Sequence, residues 1–272
     1  MRKSILTLSG LLLVLVAACS KNPFTGKSDL NFVSNDQIFP TAFAEYSQFL
    51  KENKVIKGTP DAQRVVSVGQ KIKAAAEKYL NSTGNSSYLN GYAWEYNLVD
   101  SKEVNAWCMP GGKIVVYSGI LPITKDEAGL ATVMGHEVAH ALLNHGAQRM
   151  SAAQLQQYGA AGVQVATAGQ SAGTQDLLMQ AYGIGSEVGG MLPFSRKHET
   201  EADEVGLTLM AIAGYNPDKA VEFWQRMEAN SGGGAPPEFL STHPAGSTRI
   251  SHIKSIVANA KAEAAKFGVT YK

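Results

Sequence analysis

The run of residues 124–146, TKDEAGLATVMGHEVAHALLNHG, constrains the fold of this chain more than any other stretch. Thr124 and Glu127 are spaced as in a capping box, which marks the start of a helix. The good helix formers that follow are apolar on nearly every side. The pattern therefore predicts a buried helix around which the rest of a domain has to pack.

Three polar side chains in this apolar helix, His136, Glu137 and His140, form the pattern H-E-x-x-H. The two histidines share one helical face, where both imidazoles can chelate one zinc ion, and Glu137 lies about 100° further round. From there its carboxylate can take a proton from zinc-activated water during attack on a carbonyl. Histidines satisfied by core carbonyls are the alternative, which an otherwise apolar helix makes less favourable. The pattern favours a zinc peptidase with one Zn²⁺ per chain and Glu137 as general base.

A catalytic zinc needs a third protein ligand, and a second acidic segment can supply one. His145, nine residues after His136, lies on the opposite face if the helix continues, so we do not expect it to bind. In SRKHETEAD, Glu199 and Asp203 lie on one helical face, so Glu199 could bind zinc while Asp203 accepts a hydrogen bond from a ligand histidine. Glu201 points about 200° away from Glu199 and is expected to be solvated or salt-bridged. A solvated helix turn is the alternative reading of this segment.

The N-terminal residues are typical of a targeting segment. Arg2 and Lys3 precede an apolar segment, residues 5–18, that is too short to span a bilayer and ends in small residues before Cys19. This pattern resembles a bacterial lipobox, which implies cleavage before Cys19, acylation of that residue with fatty acids such as palmitate, and a membrane anchor. Ser20 in the next position implies an outer-membrane lipoprotein that faces the periplasm of a Gram-negative bacterium. An ordinary secretory signal peptide is the alternative.

Length and composition suit one domain on a short tether. The chain has 272 residues with 44% hydrophobic and 17% charged residues, and its formal net charge of +1 offers no basic field for nucleic acid. We predict a lipoprotein signal peptide over residues 1–18, a lipidated polar tether over 19–35, and a metallopeptidase domain over 36–272.

A small sheet is predicted before the H-E-x-x-H helix. Residues 93–100, 103–109 and 113–118 have the composition of strands, and short turns suggest that they pair in antiparallel fashion beside that helix. The remaining periodic segments are helical in pattern: residues 36–55, 60–80, 151–167, 174–184, 195–213, 217–229 and 247–266. The predicted class is α+β and mainly helical. Residues 146–190, rich in Ala, Gly and Gln, could cover the cleft as a lid, which the sequence leaves open.

Three segments together resemble the signatures of the HtpX and CAAX prenyl protease family of gluzincin metallopeptidases. They are H-E-V-A-H, S-R-K-H-E-T-E-A-D and T-H-P-A-G-S-T-R-I. The stretch N-A-W-C-M-P-G-G, residues 105–112, resembles the strand pair beside that family's site. The resemblance implies a zincin-type fold. A substrate peptide could add to an edge of this strand pair, next to Asn105, Ala106, Gly111 and Gly112.

The resemblance also implies roles for single residues. His136, His140 and Glu199 would be the zinc ligands. His243 and Arg249 would lie near the open zinc position, where a donor or cationic side chain could stabilise the oxyanion. His243 could instead occupy that position in a resting state, and both residues could simply cap the last helix.

We therefore expect a zinc-dependent endopeptidase that hydrolyses unfolded or misassembled envelope proteins. Its expected partners are polypeptide substrates such as outer-membrane proteins, a membrane through the anchor at Cys19, and envelope proteases or assembly machinery. A non-proteolytic chaperone or assembly factor for outer-membrane proteins that uses the same cleft is the alternative. A structural zinc protein is a further one, and it predicts four protein ligands.

Overall fold

The computed structural model describes residues 19–230, 237–244 and 246–271. The predicted signal peptide, residues 1–18, lies outside the described residues. The strands are β1 (Cys19–Lys21), β2 (Ser28–Leu30), β3 (Val55–Ile56), β4 (Glu95–Val99), β5 (Ala106–Met109) and β6 (Lys113–Tyr117). The α-helices are α1 (Asn35–Glu52), α2 (Pro60–Ser82), α3 (Leu121–Thr124), α4 (Glu127–Leu142), α5 (His145–Thr167), α6 (Ala172–Ser186), α7 (Leu192–Ile212), α8 (Asp218–Asn230), α9 (Glu238–Thr242) and α10 (Ser247–Ala265).

The described residues fall into two compact units. The helical unit comprises residues 19–34 and 144–198, and the core unit comprises residues 35–143 and those from 199 onward. The predicted boundaries of the tether and of a single domain over 36–272 stay predictions.

Helix α4 is the predicted buried helix of the core unit. Every residue from Gly129 to Leu142 is buried, which the uninterrupted apolar composition of this segment explains. The helix ends at Leu142, earlier than predicted, because Asn144 adopts the left-handed conformation with φ of 55°. A new helix, α5, begins at His145.

The start of α4 differs from the predicted capping box. The N-cap is Asp126, whose Oδ1 accepts a hydrogen bond from Gly129 N at 2.8 Å. Thr124 instead ends α3, and its Oγ1 donates to Leu121 O at 3.0 Å. An aspartate directly before the first helical turn satisfies a free N–H and complements the helix dipole, so it takes the capping position.

The core unit contains a four-stranded sheet in the order β3-β4-β6-β5. β5 and β6 form an antiparallel hairpin, whereas β4 and β6 pair in parallel fashion from Glu95 opposite Lys113 to Val99 opposite Tyr117. The α+β class is confirmed, but the sheet is mixed and not antiparallel, because β6 folds back from β5 into the position beside β4. The apolar centre of β6, residues 114–116, is buried as expected for a central strand.

The helical unit consists mainly of α5, α6 and the start of α7. Tyr182 Oη of α6 donates to Gln156 O of α5 at 3.0 Å. The β1–β2 hairpin lies against the start of α5, where Phe32 N donates to Ser151 Oγ at 3.0 Å. Among the described residues, no helix has the length and hydropathy that a bilayer-spanning segment requires.

Candidate metal centre

Two glycines bring α4 and α7 close together in the core unit. A Cβ atom on Gly206 would lie 2.8 Å from the carbonyl carbon of Gly135 and from His136 N, and a Cβ on Gly135 would lie 2.8 Å from Gly206 O. Only glycine at both positions permits this approach of two helix backbones. The crossing carries Glu199 and Asp203 of α7 toward the histidines of α4. Sequence reasoning missed both glycines, although each lies within a predicted helix.

Four side chains converge in this region: His136, His140, Glu199 and His243. His136 Nε2 lies 3.1 Å from His140 Nε2, and each of these atoms lies 3.3 Å from a carboxylate oxygen of Glu199. His243 Nδ1 lies 3.2 Å from His136 Nε2 and 3.0 Å from Glu199 Oε2. The three residues predicted to bind zinc are thus brought together, and His243 lies with them.

The separations of these atoms fit a zinc ion. Zinc with four ligands at about 2.0–2.1 Å in tetrahedral geometry has neighbouring ligand atoms about 3.3 Å apart. The five separations given above are 3.0–3.3 Å, and one ligand atom from each of the four residues lies within 4.8 Å of the others. Two imidazoles and a carboxylate are also the donor set of many catalytic zinc sites. The residues present therefore fit the metal.

The pKa values of His140 and Glu199 suit metal binding, whereas that of His136 opposes it. Burial and Arg249 lower the pKa of His136, but hydrogen bonds with Asp203 and Glu199 outweigh them and raise it to about 9, so a metal has to displace a proton there. Burial lowers the pKa of His140 well below its usual value, which favours the neutral imidazole that a metal requires. Burial also raises the pKa of Glu199, but hydrogen bonds from His136, His140 and His243 outweigh it and hold that pKa well below its usual range. Glu199 is therefore an anion in the cluster.

Glu137 lies beside the cluster and has an unusual environment. Its side chain is buried, and its Oε1 has no hydrogen-bond partner among the described residues, although His243 Nε2 lies 3.4 Å away. Burial raises the pKa of this carboxyl group. A buried carboxylate oxygen without a partner is costly, so it is expected to serve a substrate or a water molecule.

Asp203 and Arg249 form a pair behind His136. Asp203 Oδ1 lies 3.0 Å from His136 Nδ1, the position that a carboxylate orienting a ligand histidine requires. Arg249 donates to both oxygens of Asp203, at 2.9 Å from Nε and 2.7 Å from Nη2. Its guanidinium stacks on Trp224 at 3.6 Å from the ring centroid, and its Nη1 lies 3.3 Å from Glu199 Oε2. Arg249 thus lies near the cluster, where it is held in a bidentate ion pair, and its predicted place beside an open zinc position stays a prediction.

Two expectations about neighbouring residues need correction or refinement. The sequence predicts that Glu201 is solvated or salt-bridged. Its side chain is buried and has an interaction partner, so the solvated alternative is wrong and the salt bridge stays a prediction. The reason is that α7 is enclosed on more than one side. His145 does not continue α4 but belongs to the helical unit, where its ring stacks on His198 at 3.9 Å between centroids.

The strand pair beside α4 has one outer edge among the described residues. β6 lies between β4 and β5, so only β5, which begins at Ala106 and follows Asn105, is an outer strand next to α4. Near the start of this edge Phe239 N of α9 donates to Val104 O at 3.1 Å, and α9 leads directly to His243.

Gly111 and Gly112 form the turn between β5 and β6. Both have positive φ, 83° and 85°, and a Cβ atom would meet Phe43 at 2.5 Å or Trp94 at 2.6 Å respectively. Turn geometry and packing therefore account for these two glycines. Their contact with a substrate stays a prediction, as does the acylation of Cys19.

Comparison with known proteins identifies the family. The sequence profile of peptidase family M48 matches residues 68–257. The mitochondrial metalloendopeptidase OMA1 of Saccharomyces cerevisiae is 34% identical over 71% of this chain and 55% of its own length. The human metalloendopeptidase OMA1 is 31% identical over 88% of this chain and 46% of its own length. The β-barrel assembly-enhancing protease of Escherichia coli is 29% identical over 65% of this chain and 38% of its own length.

The chain therefore belongs to peptidase family M48. It spans about half the length of the curated relatives that it matches. Its family was predicted correctly from the three sequence signatures.

The predicted location is wrong on these comparisons. Relatives from Saccharomyces cerevisiae, Schizosaccharomyces pombe and Arabidopsis thaliana, at 34%, 39% and 37% identity, are mitochondrial enzymes. They contradict an outer-membrane lipoprotein facing the periplasm. The physical reason is that two basic residues and a short apolar segment indicate membrane targeting but do not specify which membrane.

Proposed function

We propose that this chain hydrolyses internal peptide bonds of unfolded or misassembled proteins at a zinc site formed by His136, His140 and Glu199. One observation carries the proposal: the buried carboxylate of Glu137, one oxygen of which has no hydrogen-bond partner in the described part of the chain, lies beside donor atoms spaced for zinc. A purely structural site would leave this buried oxygen without a function. A chaperone that only binds polypeptides would likewise need neither the cluster nor Glu137.

The residues of the chain divide the chemistry between them. A zinc ion held by His136, His140 and Glu199 would supply a Lewis acid that polarises the scissile carbonyl and lowers the pKa of water. Glu137 accepts the proton of the attacking water and then delivers it to the leaving amine. Burial, which raises its pKa, makes this carboxylate a better proton acceptor near neutral pH. Asp203 holds the His136 ring in one orientation through Nδ1, so that Nε2 points toward His140 and Glu199.

For His243 we propose the resting-state role over that of oxyanion stabiliser. Its Nδ1 is as close to His136 Nε2 and Glu199 as the other donor atoms are to one another. A group in that position takes the place that substrate needs. The side chain follows the short helix α9, whose Phe239 N binds Val104 O beside β5, so movement of this segment would free both the fourth position and the strand edge.

Substrate recognition at β5 would explain a broad range of substrates. An extended peptide that pairs with this edge is bound through its main chain, which all sequences share. We expect N-methylation of the amides flanking the scissile bond to raise KM by about tenfold or more, since it removes main-chain donors. An unchanged KM for the methylated peptide would exclude strand pairing.

Casein digestion tests the hydrolytic role of Glu137. The E137Q variant should retain one zinc per chain, because the residue is not a ligand, and lose activity by a factor of at least about 100, the range for general-base catalysis. A chelator should abolish the activity of the unchanged chain, and added zinc should restore it.

The matched control is Glu127→Gln in the first turn of the same helix. Glu127 binds Tyr215 and Lys71 at the surface and should leave the rate unchanged when replaced. Full activity of E137Q would refute the general-base assignment. An unchanged chain that holds zinc and cleaves nothing would support the structural zinc protein instead.

A further inference from the structure

The exposed large apolar side chains of the described residues are confined to the helical unit. They are Met150, Leu155, Tyr158, Val165, Leu177, Leu178, Ile184 and Leu192. The most exposed are Val165 at 79% and Tyr158 at 70%. On α5, Leu155, Tyr158 and Val165 lie at the helical spacing of one stripe. A concentration of exposed apolar side chains in one part of a protein is typical of an interaction site.

Helices α5 and α6 bury few of their own side chains. No described side chain of α6 is buried, and none of α5 is buried between Ser151 and Thr167. Contacts such as those of Tyr182 Oη with Gln156 O and of Gln156 Nε2 with Ser186 Oγ join the two helices. Because helices in proteins gain most of their stability by packing an apolar face, these exposed stripes require a partner.

The charge pattern indicates which partner fits. Between Arg149 and Arg196 the sequence has only two charged residues, Asp176 and Glu187. Helices that bind membranes through anionic lipids are rich in Lys and Arg on their polar face, and this segment has none. The partner must therefore offer apolar surface and need no counter-charge.

The position of the N-terminal chain points to a lipid bilayer. Cys19 of β1 pairs with Leu30 of β2, and Phe32 N, two residues further on, donates to Ser151 Oγ near the start of α5. Residues 5–18, which directly precede β1, form the apolar segment of the sequence. If that segment is cleaved off and Cys19 is acylated, as the sequence predicts, β1 is tied directly to a bilayer, and the β1–β2 hairpin contacts the start of α5.

We infer that α5 and α6 form a bilayer-docking hairpin whose exposed apolar side chains enter the boundary between headgroups and acyl chains of a lipid membrane. This inference goes beyond the proposed peptidase function and does not depend on the metal centre. Because the contact is apolar, it forms with zwitterionic lipid and persists at high salt.

Tryptophan quenching by brominated lipids tests the inference. The full chain, residues 1–272, carries E137Q to prevent self-digestion and is reconstituted in phosphatidylcholine vesicles with or without bromine on the acyl chains. Tryptophan is introduced as V165W or I184W, at exposed apolar positions, and as A74W at an exposed position of α2 for control. Circular dichroism of each variant confirms the fold.

We expect brominated lipid to reduce the added fluorescence of V165W and I184W by about half or more, and to leave A74W unchanged, at low and at molar salt. Equal fluorescence of V165W and I184W in both kinds of vesicle would overturn the inference. The inference would be overturned in favour of a second copy of this chain if, without vesicles, acrylamide quenches the introduced tryptophans less as the protein concentration rises. It would be overturned in favour of an unfolded protein partner if the introduced tryptophans are protected from acrylamide only when a reduced, carboxymethylated polypeptide is added.

Discussion

Arg249 and Asp203 determine how the imidazole of His136 is held. Burial alone would raise the pKa of Asp203, but the adjacent Arg249 guanidinium outweighs it and holds that pKa below its usual value. The ionised carboxylate faces His136 Nδ1, and the guanidinium of Arg249 stacks on the ring of Trp224. Arg249 therefore acts through Asp203 on the orientation of a candidate ligand.

Replacement of His243 by alanine tests which of the two roles this side chain has. If this side chain occupies the fourth position at rest, the H243A variant should keep one zinc on His136, His140 and Glu199 and cleave casein faster than the unchanged chain. If His243 instead stabilised the oxyanion, its loss would lower kcat by a factor of about 100 or more. Zinc content and initial rates, measured on the same preparation, separate the two.

His252→Ala on α10 is the matched control for H243A, because His252 is a partly exposed histidine of the core unit that lies outside the cluster. It should change neither zinc content nor rate. A fall in the rate of H243A with zinc retained would contradict the resting-state role.

Helical spacing explains which site residues could be predicted. His136 with His140, and Glu199 with Asp203, are each four residues apart on one helix, so each pair shares a face whatever surrounds it. Trp224 and the burial of Glu201 could not be predicted, because both depend on which helix packs against which.

At the scale of elements, the site depends on how closely α4 and α7 approach. We expect the G206A variant to bind zinc more weakly and to have a free energy of unfolding that is lower by about 1–3 kcal/mol. The reason is that a Cβ there would lie 2.8 Å from the backbone of Gly135 and His136. The backbones must separate, and Glu199 moves away from the histidines. Thermal unfolding and zinc titration measure both effects.

Gly162→Ala provides the matched control in helix α5, where nothing lies within 4 Å of an added Cβ. It should leave zinc affinity unchanged and stabilise the chain by about 0.5–1 kcal/mol, as alanine does in an open helix. A G206A chain that binds zinc as tightly as the unchanged one would show that the close crossing does not position Glu199.

The positions of the strands could be predicted from the sequence, but their pairing order could not. Composition located β4, β5 and β6 to within a few residues, but it could not show that β6 lies between the other two. Pairing order depends on contacts distant in sequence, whereas strand composition is local. The parallel pairing of β4 with β6 followed only from the structure.

For the whole molecule, the family could be predicted from the sequence, whereas the location could not. Family membership depends on three segments that meet at one site, and the profile over residues 68–257 confirmed it. Location depended on the N-terminal segment alone, and the mitochondrial relatives contradict that prediction. The division into two units also had no local signal beyond the Ala- and Gly-rich composition of residues 146–190.

The central claim is that one zinc ion is held by His136, His140 and Glu199. Anomalous scattering at the zinc edge from crystals of the zinc-loaded chain measures this directly. We predict one peak per chain, at about 2.0–2.2 Å from Nε2 of each histidine and from a carboxylate oxygen of Glu199. A peak that lacks Glu199 as a neighbour, or zinc bound only elsewhere in the chain, would contradict the account.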